Sequence, residues 1–239
     1  MWSVCLLRRS FHSSLRLMKQ QKGRSAAEQR WMTRQLKDPY VKASHKLNFR
    51  CRSAFKLLEI DDKFRLLHPG DSVVDCGAAP GAWSQVVVQR VNSAGTDPEL
   101  PPGTVIGIDL LNIPSLDGAH FLSSHDVTEP STHSKLQELL PRGRAHIILS
   151  DMAPNASGFR EMDQERLIMM CLSLTDLAEK ILQPGGSLLC KYWDGILAQK
   201  LQDKLLSVFG SVRTLKPNAS RKDSAERYFL ARMYRKPVK

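Results

Sequence analysis

Three carboxylates and one lysine stand where strand-like runs end: Asp75 in "VVD", Asp109 in "IGID", Asp151 in "IILSD" and Lys191 in "LLCK". Carboxylates so placed can accept hydrogen bonds from ribose hydroxyls or a cationic ligand. A lysine among them can give or take a proton. Lysine is seldom placed in an apolar run such as "GSLLCKYW" without a partner or a task. Each residue also has a plainer reading: Asp109 as a cap for the segment after it, Asp151 as the start of a rigid turn "DMAPN", and Lys191 as an exposed strand end.

The stretch "DCGAAPGAW" (75–83) adds a binding element. Gly77 and Gly81 bracket two alanines and Pro80, so little side chain separates a ligand from the main chain. A dinucleotide turn normally reads G-x-G-x-x-G, and Ala79 occupies its second glycine position, so the expected ligand is smaller. An adenosine-type ligand there would place its ribose on Asp109, and its adenine amino group near Asp126 in "SSHDVTEP". Asp126 serves equally well to satisfy local amides before a turn. Trp83 could flank the ligand or pack in the core.

The elements that must position these groups follow from pattern. Val-, Ile- and Leu-rich runs ("SVVDCG", "TVIGIDL", "HIILSDM", "GSLLCKYW", "SVRTL", "RYFLARMY") alternate with helical periodicity over 52–67, 82–92, 131–140, 162–182 and 195–209. A third, weaker strand is expected to end at Asp126. Such alternation predicts a mostly parallel sheet with helices on both faces. In sheets of this type ligands collect beyond the carboxyl ends of the strands.

The chain has 239 residues and a formal charge of +11. That excess is confined to the start: residues 1–27 carry six basic and no acidic side chains, 28–52 carry seven basic and two acidic, and the remainder balances. The acid-free, Arg- and Ser-bearing opening predicts a mitochondrial transit peptide over 1–27, with a polyanion-binding arm as the alternative. Residues 28–51 form a basic arm, and 52–239 the folded domain. No apolar stretch is long enough to span a membrane. The five cysteines lack metal or disulfide spacing, and no metal site is expected. For phosphate contact the candidates are Arg30, Arg34, Lys37, Lys42, Lys46, Arg50, Arg52, Arg221 and Lys222, while Tyr192 and Trp193 either stack on a base or pack.

Together "DCGAAPGAW", "SDMAPN", "PGGSLLCKYW" and "SRKDSAERY" resemble the FtsJ/RrmJ-type ribosomal RNA 2'-O-ribose methyltransferases over about residues 50–234. The resemblance implies a Rossmann-like, S-adenosylmethionine-dependent α/β fold with seven strands. It implies a catalytic tetrad at Lys56, Asp151, Lys191 and Glu226, with Lys191 taking the proton of the ribose hydroxyl. Cofactor positions fall on Gly77, Pro80, Gly81, Ala82, Trp83, Asp109, Asp126 and Asp151. With the transit-like start, it implies action in the mitochondrial matrix on a uridine of large-subunit rRNA or the assembling large subunit, with no DNA substrate. The tetrad leaves open a tRNA or cap 2'-O-methyltransferase, and a non-catalytic rRNA-binding assembly factor is the rival of another class. Ala82 departs from the family's glycine, and Arg227 follows Glu226 where the family favours an aliphatic residue. Because strand neighbours face opposite ways, Arg227 should point away from the site.

Overall fold

The structure is a computed structural model and describes residues 25–235 except residues 156 and 196. The expected transit segment therefore lies almost wholly outside the described residues. From the amino end run helices α1 (Ala26–Lys37), α2 (Pro39–Lys46) and α3 (Ala54–Phe64), strand β1 (Ser72–Cys76), and α4 (Ala82–Val91). Next come β2 (Thr104–Asp109), β3 (His120–Ser123), α5 (Pro130–Leu139), a short 3-10 turn, β4 (Ala145–Ser150) and α6 (Arg160–Ile181). The chain closes with β5 (Leu182–Trp193), α7 (Ala198–Val208), β6 (Phe209–Leu215) and β7 (Glu226–Tyr234).

The seven strands form one sheet in the order β3-β2-β1-β4-β5-β7-β6. Pairings from β3 across to β5 are parallel, whereas β7 runs antiparallel to both β5 and β6. The sheet is thus mixed, which corrects the expectation of a mostly parallel one at its far edge. The physical reason is local. No helix intervenes between β6 and β7, so the chain turns back through residues 216–225 and must lie antiparallel to its predecessor.

Alternation along each strand builds two cores. Val74, Cys76, Ile106, Ile108 and Ile148 meet Leu136, Leu174 and Leu177 of α5 and α6 on one face. Val73, Val105, Ile147 and Leu149 meet Leu57, Ile60, Val86 and Val87 of α3 and α4 on the other. Both faces are covered, so the central strands are apolar almost throughout. Helix α3 stops because Arg65 adopts a left-handed conformation and Asp61 turns its carboxylate onto the amides of Leu66 and Leu67, both at 2.9 Å.

Two elements differ from the sequence expectation. Strand β3 ends at Ser123, three residues before Asp126, because Ser124 takes a left-handed φ of 59° and the amide of His125 turns onto the carbonyl of Asp109. The basic segment 28–51 is largely helical, and its second half packs on the body: Asp38 caps α2 and pairs with Arg52 at 3.1 Å, and Phe49 and Cys51 join the core beneath α3. No helix among the described residues is long and apolar enough to cross a membrane.

Candidate active site

Strand order reverses between β1 and β4, with β2 and β3 on one side and β5 on the other. Above their carboxyl ends the main chain leaves β1 through residues 77–81 and leaves β4 through Asp151 and Met152. A doubly wound sheet opens its binding crevice at such a switch.

Lys56, Asp151, Lys191 and Glu226 meet beside it. Lys56 Nζ lies 2.8 Å from Glu226 Oε2 and 3.6 Å from Asp151 Oδ1. Lys191 Nζ lies 3.1 Å from the same Asp151 Oδ1 and also donates to the Asp151 backbone carbonyl. Each group arrives from a different element: Lys56 from the inward face of α3, Asp151 from just past β4, Lys191 from β5, and Glu226 from the first residue of the reversed β7. Both lysines are buried, with 7% of each residue exposed. Ammonium groups so placed need carboxylates within reach, and here two carboxylates answer two ammoniums.

Three further side chains complete the cluster. The Tyr228 hydroxyl donates to Asp151 Oδ1 at 2.7 Å, and Ser220 Oγ donates to Glu226 Oε1 at 2.8 Å. Trp83 is buried against the Tyr228 ring, centroids 5.9 Å apart, with its indole N–H on the Ser53 carbonyl. Its side chain therefore braces the floor of the cluster. Burial acts to raise the Asp151 pKa, but Lys191, Lys56 and the Tyr228 hydroxyl outweigh it and hold this carboxyl below its ordinary value. Burial first, then the Asp151 and Glu226 charges, push the Tyr228 phenol well up, so it remains a donor. Arg227 points away from the cluster and pairs with Asp194 at 2.8 Å, as alternation along the strand requires.

The glycine turn is held by the protein's own groups. Asp109 Oδ2 accepts from the Ala79 amide at 2.9 Å and Oδ1 from Leu111 at 2.8 Å, tying the turn to the end of β2. A carboxylate has about four acceptor positions, so Asp109 retains capacity for a ligand. Gly77 and Gly81 both have positive φ, and a methyl group at either would strike Met152 or Arg50 respectively. Arg50 donates to the carbonyls of Pro80 at 2.9 Å and Pro114 at 2.8 Å, and to that of Ser115. Asp126 sits in the turn beyond β3 and accepts from the amide and hydroxyl of Thr128. Ala82 is buried as the first residue of α4. Beneath the turn, Asp75 is buried with Ser84 Oγ on its Oδ2 at 2.7 Å; burial pushes its pKa up to about 7, assisted by the nearby charges of Asp151 and Asp109.

Three candidates for phosphate contact are occupied within the chain, Arg221 among them, its guanidinium 3.8 Å from Asp38 Oδ2. Arg50 straps the glycine turn, and Arg52 pairs with Asp38 and donates to the Ala219 carbonyl. Arg34, Lys37, Lys42, Lys46 and Lys222 are exposed. Tyr228, Ser220, Ser84 and the Arg50 strap were not evident in the sequence, because each acts through a partner distant in the chain or hidden by the fold.

A seven-stranded α/β sheet whose β7 is inserted backwards between β5 and β6, with its crevice at β1 and β4, is an α/β methyltransferase fold. The FtsJ-like methyltransferase family model matches residues 49–234. A Drosophila melanogaster protein named mitochondrial rRNA methyltransferase 2 is 43% identical over 237 residues, covering 97% of this chain and 95% of that protein. A ribosomal RNA large subunit methyltransferase E from Rhodopseudomonas palustris is 43% identical over 205 residues, covering 86% of this chain and 84% of that protein. Among solved structures, a protein described as a ribosomal RNA methyltransferase from Plasmodium falciparum superposes with a TM-score of 0.69 at 26% identity, covering 79% of this chain and all of that one. This chain belongs to the FtsJ-like methyltransferase family.

Proposed function

We propose that this chain methylates a ribose 2'-hydroxyl in mitochondrial large-subunit rRNA, using S-adenosylmethionine, in the mitochondrial matrix during assembly of the large ribosomal subunit. The acceptor is a uridine. The observation that carries this reading is the convergence of Lys56, Asp151, Lys191 and Glu226 beside the β1/β4 crevice. Family membership supports the transfer, and the names of the relatives support the substrate and compartment.

The crevice fits S-adenosylmethionine by its donor set. Side chains of residues 77–79 are absent or methyl-sized, Asp109 and Asp126 are half-buried acceptors, and the carboxylates of Asp109 and Asp151 give a field suited to a cation. When bound, the cofactor supplies an electrophilic methyl group on a sulfonium. The residues Gly77, Pro80, Gly81, Ala82, Trp83, Asp109, Asp126 and Asp151 form its walls and floor.

For the transfer, the acceptor oxygen must be held in line and its proton must leave. Orientation supplies roughly 7–11 kcal/mol of such a barrier, against the about 10²- to 10⁴-fold credited to a general base. Once its resting ammonium has released a proton to solvent, the neutral Lys191 amine is the group we assign to receive the 2'-hydroxyl proton as the new carbon–oxygen bond forms. Asp151 holds its ammonium by both carbonyl and carboxylate. Lys56, locked by Glu226, fixes the other side of Asp151 and helps orient the ribose. The 2'-hydroxyl itself selects RNA over DNA. Exposed cations on α1, α2 and residue 222 contact phosphates without reading sequence.

The test is transfer of labelled methyl from S-adenosylmethionine to mitochondrial large-subunit rRNA and to assembling subunits, by the full chain. The product should sit on a ribose, seen as resistance of the adjacent phosphodiester to alkali, and Lys191→Ala should abolish it. Label on a base, or transfer at the wild-type rate by Lys191→Ala, refutes the reading.

A further inference from the structure

At the carboxyl end of β5, where Trp193 pairs with Glu226 of β7, lies a cavity of about 230 Å³ lined by Arg160, Gln164, Trp193, Asp194, Ser224 and Ala225. None of these residues takes part in the arrangement assigned above to catalysis or cofactor binding. We propose that this cavity receives one unstacked nucleotide of the RNA substrate, its base against Trp193 and its phosphate on Arg160. The inference rests on the RNA methyltransferase reading and adds to it a binding subsite.

Position is the first argument. On β5, Trp193 lies two residues beyond Lys191, about 7 Å along the strand. In the ladder it pairs with Glu226, while Lys191 pairs with Tyr228. The cavity is therefore about one nucleotide's length from the lysine that faces the acceptor hydroxyl. Its volume, below the roughly 300–1,000 Å³ usual for drug-sized ligands, suits a single flat heterocycle better than a base pair.

The state of the aromatic residues is the second. Of the adjacent pair Tyr192 and Trp193, the tyrosine is buried and stacked on Phe229, ring centroids 3.9 Å apart. Trp193 is only half-buried and borders the cavity. Tyr192 thus lies wholly in the core, whereas Trp193 packs against that core with part of its indole and leaves the rest for stacking, which is worth a substantial factor per base and tolerates any base.

Polar groups at the rim match the rest of a nucleotide. Arg160 is exposed, and its guanidinium has no ion pair or hydrogen bond among the described residues, as suits a group awaiting a phosphate. The Asp194 carboxylate is fixed by Arg227 at 2.8 Å, and its amide is pinned to the Ala225 carbonyl at 2.9 Å. Gln164 reaches the Trp193 carbonyl at 3.4 Å through its amide nitrogen, leaving its amide oxygen for the edge of a base. Arg227, the residue that departs from the family pattern, acts here by orienting Asp194.

Steady-state methylation of rRNA by Trp193→Ala, Trp193→Phe and Arg160→Gln tests the proposal, with S-adenosylmethionine affinity measured separately by calorimetry. Trp193→Ala should lower kcat/KM for RNA by about 5- to 100-fold, with cofactor affinity unchanged, and Trp193→Phe should restore most of it. Arg160→Gln should reduce the slope of log affinity against log salt by about 1. Wild-type kcat/KM in Trp193→Ala overturns the proposal, as does equal loss in both Trp193 variants accompanied by weakened cofactor binding. Should Trp193→Ala not fold, an unchanged salt slope in Arg160→Gln overturns it. These failures leave wild-type ribose methylation intact, whereas failure of the underlying reading would appear as absence of ribose methylation by the wild-type chain.

Discussion

The Tyr228 hydroxyl stands 2.7 Å from Asp151 Oδ1, the same oxygen that faces Lys191 at 3.1 Å and Lys56 at 3.6 Å. One carboxylate oxygen thus orders a phenol and two ammoniums.

Tyr228→Phe keeps the ring against Trp83 and removes only the donor. A hydrogen bond to a charged group contributes about 1.5–3 kcal/mol, so methyl transfer should slow by roughly tenfold or somewhat more. Asp151 then loses one of the three groups that lower its pKa, and the acid limb of kcat/KM should move to higher pH. A pH–rate profile of the variant against wild type measures both, and an unmoved acid limb refutes the role.

Lys56 and Glu226 form a largely buried pair, and removing one partner leaves the other without compensation. Lys56→Met should cost about 3 kcal/mol in denaturant unfolding. Lys56→Met with Glu226→Gln should recover part of that loss while remaining inactive. A double-mutant cycle with no coupling between the positions would show that the pair does not hold the site together.

Asp75 makes stability depend on pH in an unusual direction. Its folded pKa, about 7, is above the ordinary carboxyl value, so between roughly pH 4 and 7 the folded state binds more protons than the unfolded one. Stability from this group is fully present below pH 4 and is lost as pH rises through 7. Asp75→Asn keeps a partner for Ser84 and should flatten this part of the curve. Unfolding free energies of both proteins at pH 5 and pH 8 decide the matter; an identical pH dependence in the two contradicts it.

Arg50 straps the glycine turn to the segment after β2, so its loss should act on the cofactor. Arg50→Gln should weaken S-adenosylmethionine binding by roughly tenfold, since hydrogen bonds from a charged donor are lost. The salt dependence of RNA binding should stay unchanged, because this guanidinium faces carbonyls. Lys42→Gln and Lys46→Gln should show the converse. Calorimetry for the cofactor and salt titration for RNA separate the two kinds of residue.

Much of this architecture was legible in the residues. The apolar runs and their polar ends located six of the seven strands closely, and the motifs located Lys56, Asp151, Lys191 and Glu226. What escaped depends on long-range geometry. The alternation of "RYFLARMY" is the same read in either direction, so nothing in it announces that β7 is reversed. Tyr228 and Asp151 are 77 positions apart, and Lys56 and Glu226 are 170 apart, and spacing alone cannot pair them. In sequence Arg50 is one more cation in a basic arm; only the carbonyls around it disclose its duty. Asp126 reads as a strand end because "SSHDV" carries no glycine or proline to mark where Ser124 breaks the strand.

The reversal of β7 has a consequence for how the protein becomes competent. Its neighbours β5 and β6 both precede it in the chain, and β7 must slot between them after both have been made. That single insertion delivers Glu226 and Tyr228 to the rim and joins the outermost strand to the sheet. A ribosome-bound chain that has not yet made β7 owns the glycines of the crevice and its carboxylates Asp75, Asp109 and Asp151, yet it lacks Glu226, Tyr228 and the strand that ties β6 to the sheet.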